Sequence, residues 1–456
     1  MAAYFHRRAW LTRISVLIAA LALAACHDNG ASAKPSANQN PSANQNPSSM
    51  QPVATAVAAA SASAQHSLQM WVRYPQPNTS LSPMAALGKQ IFFDTSLSAS
   101  GKVACSTCHD PNHAYGPPNG LAAQLGGEDM QHQGTRAVPS LRYMGFTPKF
   151  TRHYAVPDAD GVEDEGPTGG FTHDGEVDSL HEQAKIPLLN VNEMANKDAA
   201  AVSTKLRAAK YADQFTKLFG ADIFSKPEKA LEQATAALEA FETEDSSFQP
   251  YTSKFDAVMV GNADFTPEEL RGYVLFNNPL KGNCTKCHID SPGPGGRPAQ
   301  FTDFGFEAVG VPRNLEIAAN HDPKYFDLGL CGPTRKDLAK ETNFCGMFKT
   351  PTVRNTAMRQ VFFHNGRFHN LEDTLRFYVE RDTAPQKWYA DKNGKVVQYD
   401  DMPAKYRDNI DHVNAPFNRK KGDVPAMNGD EIRDMIAFLK TLDDGYSQHS
   451  GAKQGN

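Results

Sequence analysis

Apolar residues recur at helical spacing in six stretches of the 456-residue chain: 84–93, 180–185, 199–218, 227–241, 268–276 and 430–442. In each, positions three and four apart are apolar and the opposite face is polar, which predicts amphipathic helices. Thr266-Pro267-Glu268-Glu269 opens the fifth with the pattern of a capping box. Glycine is frequent from 116 to 134, predicting loop, and Gly261 to Asp264 reads as a boundary between two helical halves. Two helices look like copies of one unit: Leu87-Gly88-Lys89-Gln90-Ile91-Phe92-Phe93 and Leu270-Arg271-Gly272-Tyr273-Val274-Leu275-Phe276. The fold class predicted is mainly α, with a first domain over 81–250 and a second over 251–450.

The N-terminal pattern is of another kind. Arg7, Arg8 and Arg13 precede an apolar run from Ile14 to Ala25, followed by Cys26. This predicts a signal peptide over 1–25. Leu23-Ala24-Ala25-Cys26 reads as a bacterial lipobox, with lipid on Cys26 as the only membrane attachment, since the run is too short for a mature span. His27, rather than aspartate, follows, which favours an outer-membrane lipoprotein facing the periplasm; plain secretory cleavage with Cys26 as an odd thiol is the alternative. From 27 to about 66 the chain is Pro-, Ser- and Asn-rich, with a direct repeat beginning at Pro35 and Pro41. Such a stretch cannot bury enough apolar surface to fold, so 26–80 is expected to be a lipidated, disordered linker.

Composition narrows the function. A net charge of −5 gives no footing for a nucleic-acid partner. Of seven cysteines, four fall in two C-x-x-C-H motifs, Cys105-Ser106-Thr107-Cys108-His109 and Cys284-Thr285-Lys286-Cys287-His288. That spacing is the attachment signature of c-type haem. Two thiols on one turn of backbone can each bond a haem vinyl group, and the histidine that follows becomes the proximal iron ligand. A single copy leaves a zinc knuckle, a redox dithiol or chance as alternatives; two copies, each behind a similar helix, predict two covalent haems. Cys331 and Cys345 remain. After export they are expected to pair as a disulfide, two buried free thiols being the alternative.

These motifs, in order and spacing, resemble the bacterial di-haem cytochrome c peroxidase family, which includes the MauG-type enzymes. The likeness spans about 81–446 and is carried by LGKQIFFD before CSTCHDP, GTRAVPSL, HDGEVDSLHEQAKIPLLNVNEM, RGYVLFNNPLKGNCTKCH, FTDFGFEAVGVPRN, and FKTPTVRN before FFHNGRFHNLEDTLRFY. The resemblance implies a distal glutamate at Glu193, ten residues after Gln183, with Pro187 shaping the same pocket. A carboxyl over an apolar haem face has its pKa raised and can take and return the peroxide proton. It also places Tyr378, fourteen residues after His364, as sixth ligand of the second haem, where classical peroxidases have methionine and MauG-type enzymes tyrosine. Met347 and Met358 are the rival ligands. An anionic phenolate favours high iron oxidation states and a thioether favours Fe(II).

Three departures matter. The histidine that caps the resting first haem in classical peroxidases is Asp129 here; His113 and His132 lie near but do not align, so the first haem is expected to be open. The usual inter-haem tryptophan is His173, with Phe171 or Tyr143 as nearby aromatics. The usual calcium-binding asparagine is Ala137, and Arg359 and Val361 stand at the carbonyl donors. Calcium needs six or more oxygens, so no calcium is expected and Arg359 is the candidate to fill the charge role. DLGLCGPTRKDL, FCGMFKTPT and FYVERDTAPQKWY resemble the MbnH branch of MauG-like enzymes. That branch implies hydrogen peroxide as oxidant, high-valent haem iron, and long-range oxidation of a Trp or Tyr in an MbnP-like partner protein associated with copper handling. The alternative is a cytochrome c peroxidase fed by a small electron-donor protein.

Overall fold

The computed structural model describes residues 70–78, 80–157, 162–164, 166–391 and 393–447. The export signal, Cys26 and most of the expected linker lie outside the described residues. Nine helices of six residues or more carry the described fold: α1 Pro83–Phe92, α2 Leu180–Leu189, α3 Ala199–Ala208, α4 Ala212–Phe219, α5 Pro227–Glu244, α6 Lys254–Met259, α7 Pro267–Asn277, α8 Leu371–Glu380 and α9 Gly429–Lys440. Sheet among the described residues is limited to three two-stranded antiparallel pairs and isolated bridges. One of these, Leu125–Gly126 (β1) with His132–Gln133 (β2), lies inside the glycine-rich stretch expected to be loop.

The capping expected at Thr266 is present: its hydroxyl accepts from Glu269 N and the Glu269 carboxylate accepts from Thr266 N. The single helix expected over 199–218 is instead α3 and α4. The backbone is extended at Ala209 (φ −73°, ψ 154°), and Tyr211 turns into the core, its hydroxyl donating to Asp94 Oδ2 at 2.7 Å. Helix α2 runs through Pro187, whose ring nitrogen cannot donate to the Gln183 carbonyl.

The two largest apolar cores among the described residues lie one in each half. One packs α1 to α5 around Leu87, Phe92, Leu206, Phe215 and Phe241. The other packs α6, α7 and α9 around Phe255, Tyr273, Phe276, Phe301 and Phe438. Each is built on a helix crossing so close that only glycine fits. A Cβ on Gly88 of α1 would lie 1.8 Å from the Ala237 carbonyl oxygen of α5, and one on Gly272 of α7 would lie 2.0 Å from that of Asp434 on α9.

The linker expectation is corrected at its end. Residues 70–78 run along the second core as a strap: Met70 N donates to Met259 O (3.0 Å), Arg73 N to Gly296 O (2.7 Å) and Tyr74 Oη to Asp256 Oδ1 (3.0 Å). Asn78 Nδ2 then reaches Glu244 O of α5. Under the strap, fully buried Arg354 makes a two-bond ion pair with Asp256, both bonds 2.9 Å, and lies about 5 Å from the ring centres of Tyr143 and Tyr251. Cys331 and Cys345 are joined in a disulfide.

Candidate active site

The second C-x-x-C-H motif opens on a cavity of about 330 Å³ whose wall includes Cys284, Cys287, His288 and Tyr378. Gly282 is required before the turn, because a Cβ there would lie 2.7 Å from Leu275 O and 3.2 Å from Cys284 Sγ. His288 Nδ1 donates to the Phe301 carbonyl at 3.1 Å. A carbonyl can only accept, so the proton sits on Nδ1 and the Nε2 lone pair is left for a metal. Burial lowers the His288 pKa, keeping the ring neutral as a ligand must be.

Tyr378 leaves α8 sandwiched between Phe363 and Phe417, ring centres 5.6 and 5.5 Å away. Burial raises its phenol, and Tyr378 lines the same cavity as Cys284 and Cys287. Met347 and Met358 do not line that wall. Met144, Met402 and Met427 do; Met402 packs over Gly346 and Met427 belongs to the second core.

The first motif repeats the arrangement. His109 Nδ1 donates to Tyr115 O at 3.0 Å, and burial lowers its pKa to about 4. Tyr115 is fixed by stacking on Phe248, ring centres 3.9 Å apart. Glu193 follows α2 in a loop that β1–β2 clamps. Gly127 N donates to Glu193 O at 2.8 Å, and a Cβ on Gly126 would lie 2.4 Å from Asn192 O. Met194 N donates to Pro187 O, tying the loop to α2, and Asn190 Nδ2 donates to Glu193 Oε1 at 2.7 Å. Burial raises the Glu193 carboxyl while the Asn190 bond lowers it. Burial raises both Cys105 and Cys108, and the Glu193 charge adds to it. Gln183 sits one turn before Pro187 on α2, partly buried.

Asp129 and His132 are at the exposed end of the hairpin, with side chains 61 % and 51 % accessible. His113 Nδ1 donates to Asp110 Oδ2 at 2.7 Å. Glu242 on α5, which sequence reasoning passed over, is buried near Cys105, has its carboxyl pushed up to about 8 by burial, and leaves Oε2 without a hydrogen bond. Its signal was an acid on the apolar stripe of Leu231, Leu238 and Phe241.

Between the sites, His173 Nε2 donates to Ala137 O at 2.8 Å, and burial lowers its pKa to about 4. Tyr143 is held by Asp444 at 2.8 Å. Arg359 donates from Nη2 to Val138 O (3.0 Å) and from Nε to Val361 O (3.2 Å).

Burial pushes Cys105 and Cys284 up to about 12 and Cys108 to about 11, and raises Cys287 too. Thiols held this high are poor nucleophiles, against a redox dithiol. No three His, Cys, Asp or Glu gather at metal-binding distance among the described residues, against a zinc knuckle. Paired cysteines beside a preset neutral histidine fit a thioether-linked haem at both places, and at the second a mostly apolar cavity adjoins them.

The comparisons agree. The family described as di-haem cytochrome c peroxidase matches residues 82–264. Methylamine utilization protein MauG of Paracoccus denitrificans is 37% identical over 303 residues, covering 65% of this chain and 74% of that protein. The chain belongs to the di-haem cytochrome c peroxidase and MauG family. The diheme peroxidase BthA of Burkholderia thailandensis superposes with a TM-score of 0.71 at 36% identity, over 81% of this chain and 87% of that one. A MauG-like protein associated with microbial copper homeostasis superposes with a TM-score of 0.56 at 23% identity, over 81% and 93%, a likeness of fold alone. Membership makes the protein a peroxidase-type oxidoreductase and implies two c-type haems. No helix among the described residues is long and apolar enough to cross a membrane.

Proposed function

We propose that this enzyme uses hydrogen peroxide at the Cys105–His109 site and oxidises a Trp or Tyr of a partner protein at long range. Two haems, when bound through Cys105 and Cys108 and through Cys284 and Cys287, supply an acceptor for the two electrons taken from the substrate. His109 and His288 hold the irons from the proximal side through their free Nε2 atoms. Glu193, half-buried and tethered by Asn190, takes the proton from peroxide and returns it to the departing oxygen. Pro187 and Gln183 on α2 set the wall from which Glu193 projects. Tyr378 would hold the iron at the second site together with His288; a ferric ion would oppose the burial that raises its phenol. Arg359, already bonded to two carbonyls, stands in for a calcium ion. An MbnP-like protein is the proposed partner and the periplasmic face of the outer membrane the proposed location, with lipid on Cys26.

The observation that supports this reading most is that Tyr378, stacked between Phe363 and Phe417, lines the same cavity as Cys284, Cys287 and His288. The test is Tyr378→Met in the haem-loaded protein. On adding peroxide to the diferric wild type, a near-infrared charge-resonance band is expected, and the variant should lose it while keeping both haems. An identical band in both proteins would remove Tyr378 from the role. Fast steady-state turnover with reduced cytochrome c and no such band would instead favour a cytochrome c peroxidase.

A further inference from the structure

A buried cation is stable only when an anion meets it. The other deep arginines of this scaffold obey that rule: Arg136 pairs with Asp327 and Asp174, Arg354 with Asp256, Arg381 with Asp382. Two cations on the wall of the cavity do not. Lys349 donates from Nζ to the Gly170 carbonyl and lies 5.7 Å from the centre of the Phe171 ring. Arg359 donates to the carbonyls of Val361 and Val138. Neither makes an ion pair among the described residues.

The acids nearby are committed elsewhere. Asp174 and Asp327 are engaged by Arg136 at 2.8 and 2.6 Å. Glu307, also on the wall, is pushed up to about 7 by burial and by Asp411 and Asp303. Burial in turn pulls Lys349 down to about 7, the Asp174 charge offsetting only part of it, and Arg359 to about 10. Both side chains line the cavity that also holds Cys284, Cys287, His288 and His173. They flank His173: Lys349 N donates to His173 O at 2.8 Å, and the ring of His173 is bonded to Ala137, next to the Val138 carbonyl that Arg359 uses.

We propose that Lys349 and Arg359 are the counter-cations of haem carboxylates, receiving propionate groups that enter the space beside His173. The chemistry of the group requires this kind of site. Haem attached through its vinyl edge carries two carboxylates on the opposite edge, so they point away from the cysteines and into the protein. The inference rests on the two-haem reading.

The test compares haem-loaded Lys349→Met, Lys349→Gln, Lys349→Arg and Arg359→Met with wild type. Glutamine keeps a donor for the Gly170 carbonyl, so a folded, uncharged variant is available should methionine fail. The readouts are the midpoint potential of each haem by spectroelectrochemical titration and the propionate-bending bands in resonance Raman spectra. Removing a cation leaves a carboxylate unneutralised, which favours ferric iron. The potential of the facing haem should fall by at least a tenfold change in its reduction equilibrium, about 59 mV for one electron. Lys349→Arg should stay near wild type, and the Raman bands should move in the uncharged variants. Unchanged potentials and bands in Lys349→Gln and Arg359→Met, with both haems in place, would overturn the proposal. Intact mass showing fewer than two haems on wild type would overturn the two-haem reading and this inference with it.

Discussion

Glu193→Gln is the sharpest perturbation of the chemistry, because it changes a proton acceptor and little else. Glutamine keeps the size of the side chain and an oxygen for Asn190 Nδ2, now at 2.7 Å from Oε1, and leaves the clamp from Gly127 to the Glu193 carbonyl untouched. What it removes is the base. Positioned general bases are typically responsible for about 10²–10⁴ in rate, which is about 2.7–5.4 kcal/mol of barrier. The assay is stopped-flow absorbance of the diferric protein mixed with excess peroxide.

The pH profile supplies the second half of the test. Glu193 works deprotonated, and burial raises its carboxyl above the ordinary value of about 4.3. The wild-type rate should therefore climb with pH through an inflection above that value, and the glutamine variant should be flat there. Asn190→Ala removes the bond that lowers this pKa, so the inflection should move to higher pH. Glu242→Gln is the control: that acid is also near Cys105 but is locked in the core, and its loss should leave the profile in place. A Glu193→Gln rate within threefold of wild type, with the inflection retained, would refute the assignment.

The two helix crossings and the buried ion pair make separate predictions. Gly88→Ala and Gly272→Ala each force a methyl group onto a backbone carbonyl and should cost about 1–3 kcal/mol or more, read as a lower denaturation midpoint; an unchanged midpoint would refute the close approach. Arg354→Met strands the Asp256 carboxylate and should cost about 3–5 kcal/mol at neutral pH. Arg354 holds the Asp256 pKa below the ordinary carboxylate value, so its contribution is present above that value and lost as pH falls through the lowered one. The gap between wild type and Arg354→Met should accordingly narrow in acid, and a constant gap would refute the pairing.

What could be read from sequence was whatever depends on local spacing. The capping box at Thr266 and the helical stripes outside 199–218 are written in residues three or four apart, and they hold. The break between α3 and α4 was not legible, because Tyr211 leaves the helix for a hydrogen bond to Asp94, 117 residues away in sequence. The end of the linker was missed because residues 70–78 gain their order from Met259, Gly296 and Asp256 and not from their own pattern. Lys349 carried no signal in the sequence; only the fold shows that it lines the cavity and makes no ion pair among the described residues.

The two halves argue for one scaffold carrying two different lids. In each, a glycine crossing brings a helix to the motif, and a histidine is oriented by a backbone carbonyl, Tyr115 O in one and Phe301 O in the other. These features set the proximal side and are the same. The opposite sides differ in the element that carries them and in chemistry. Glu193 hangs on a loop held by a two-residue strand pair, with part of its surface accessible, whereas Tyr378 is locked on α8 between two aromatic rings. A proton-transferring group must reach a substrate that comes and goes, and a permanent ligand must not move. On the proposed reading, that difference fits peroxide at the first site and charge storage at the second. Exchanging the lids is then the informative failure: a tyrosine at 193 should close the first site to peroxide without creating a second store of charge.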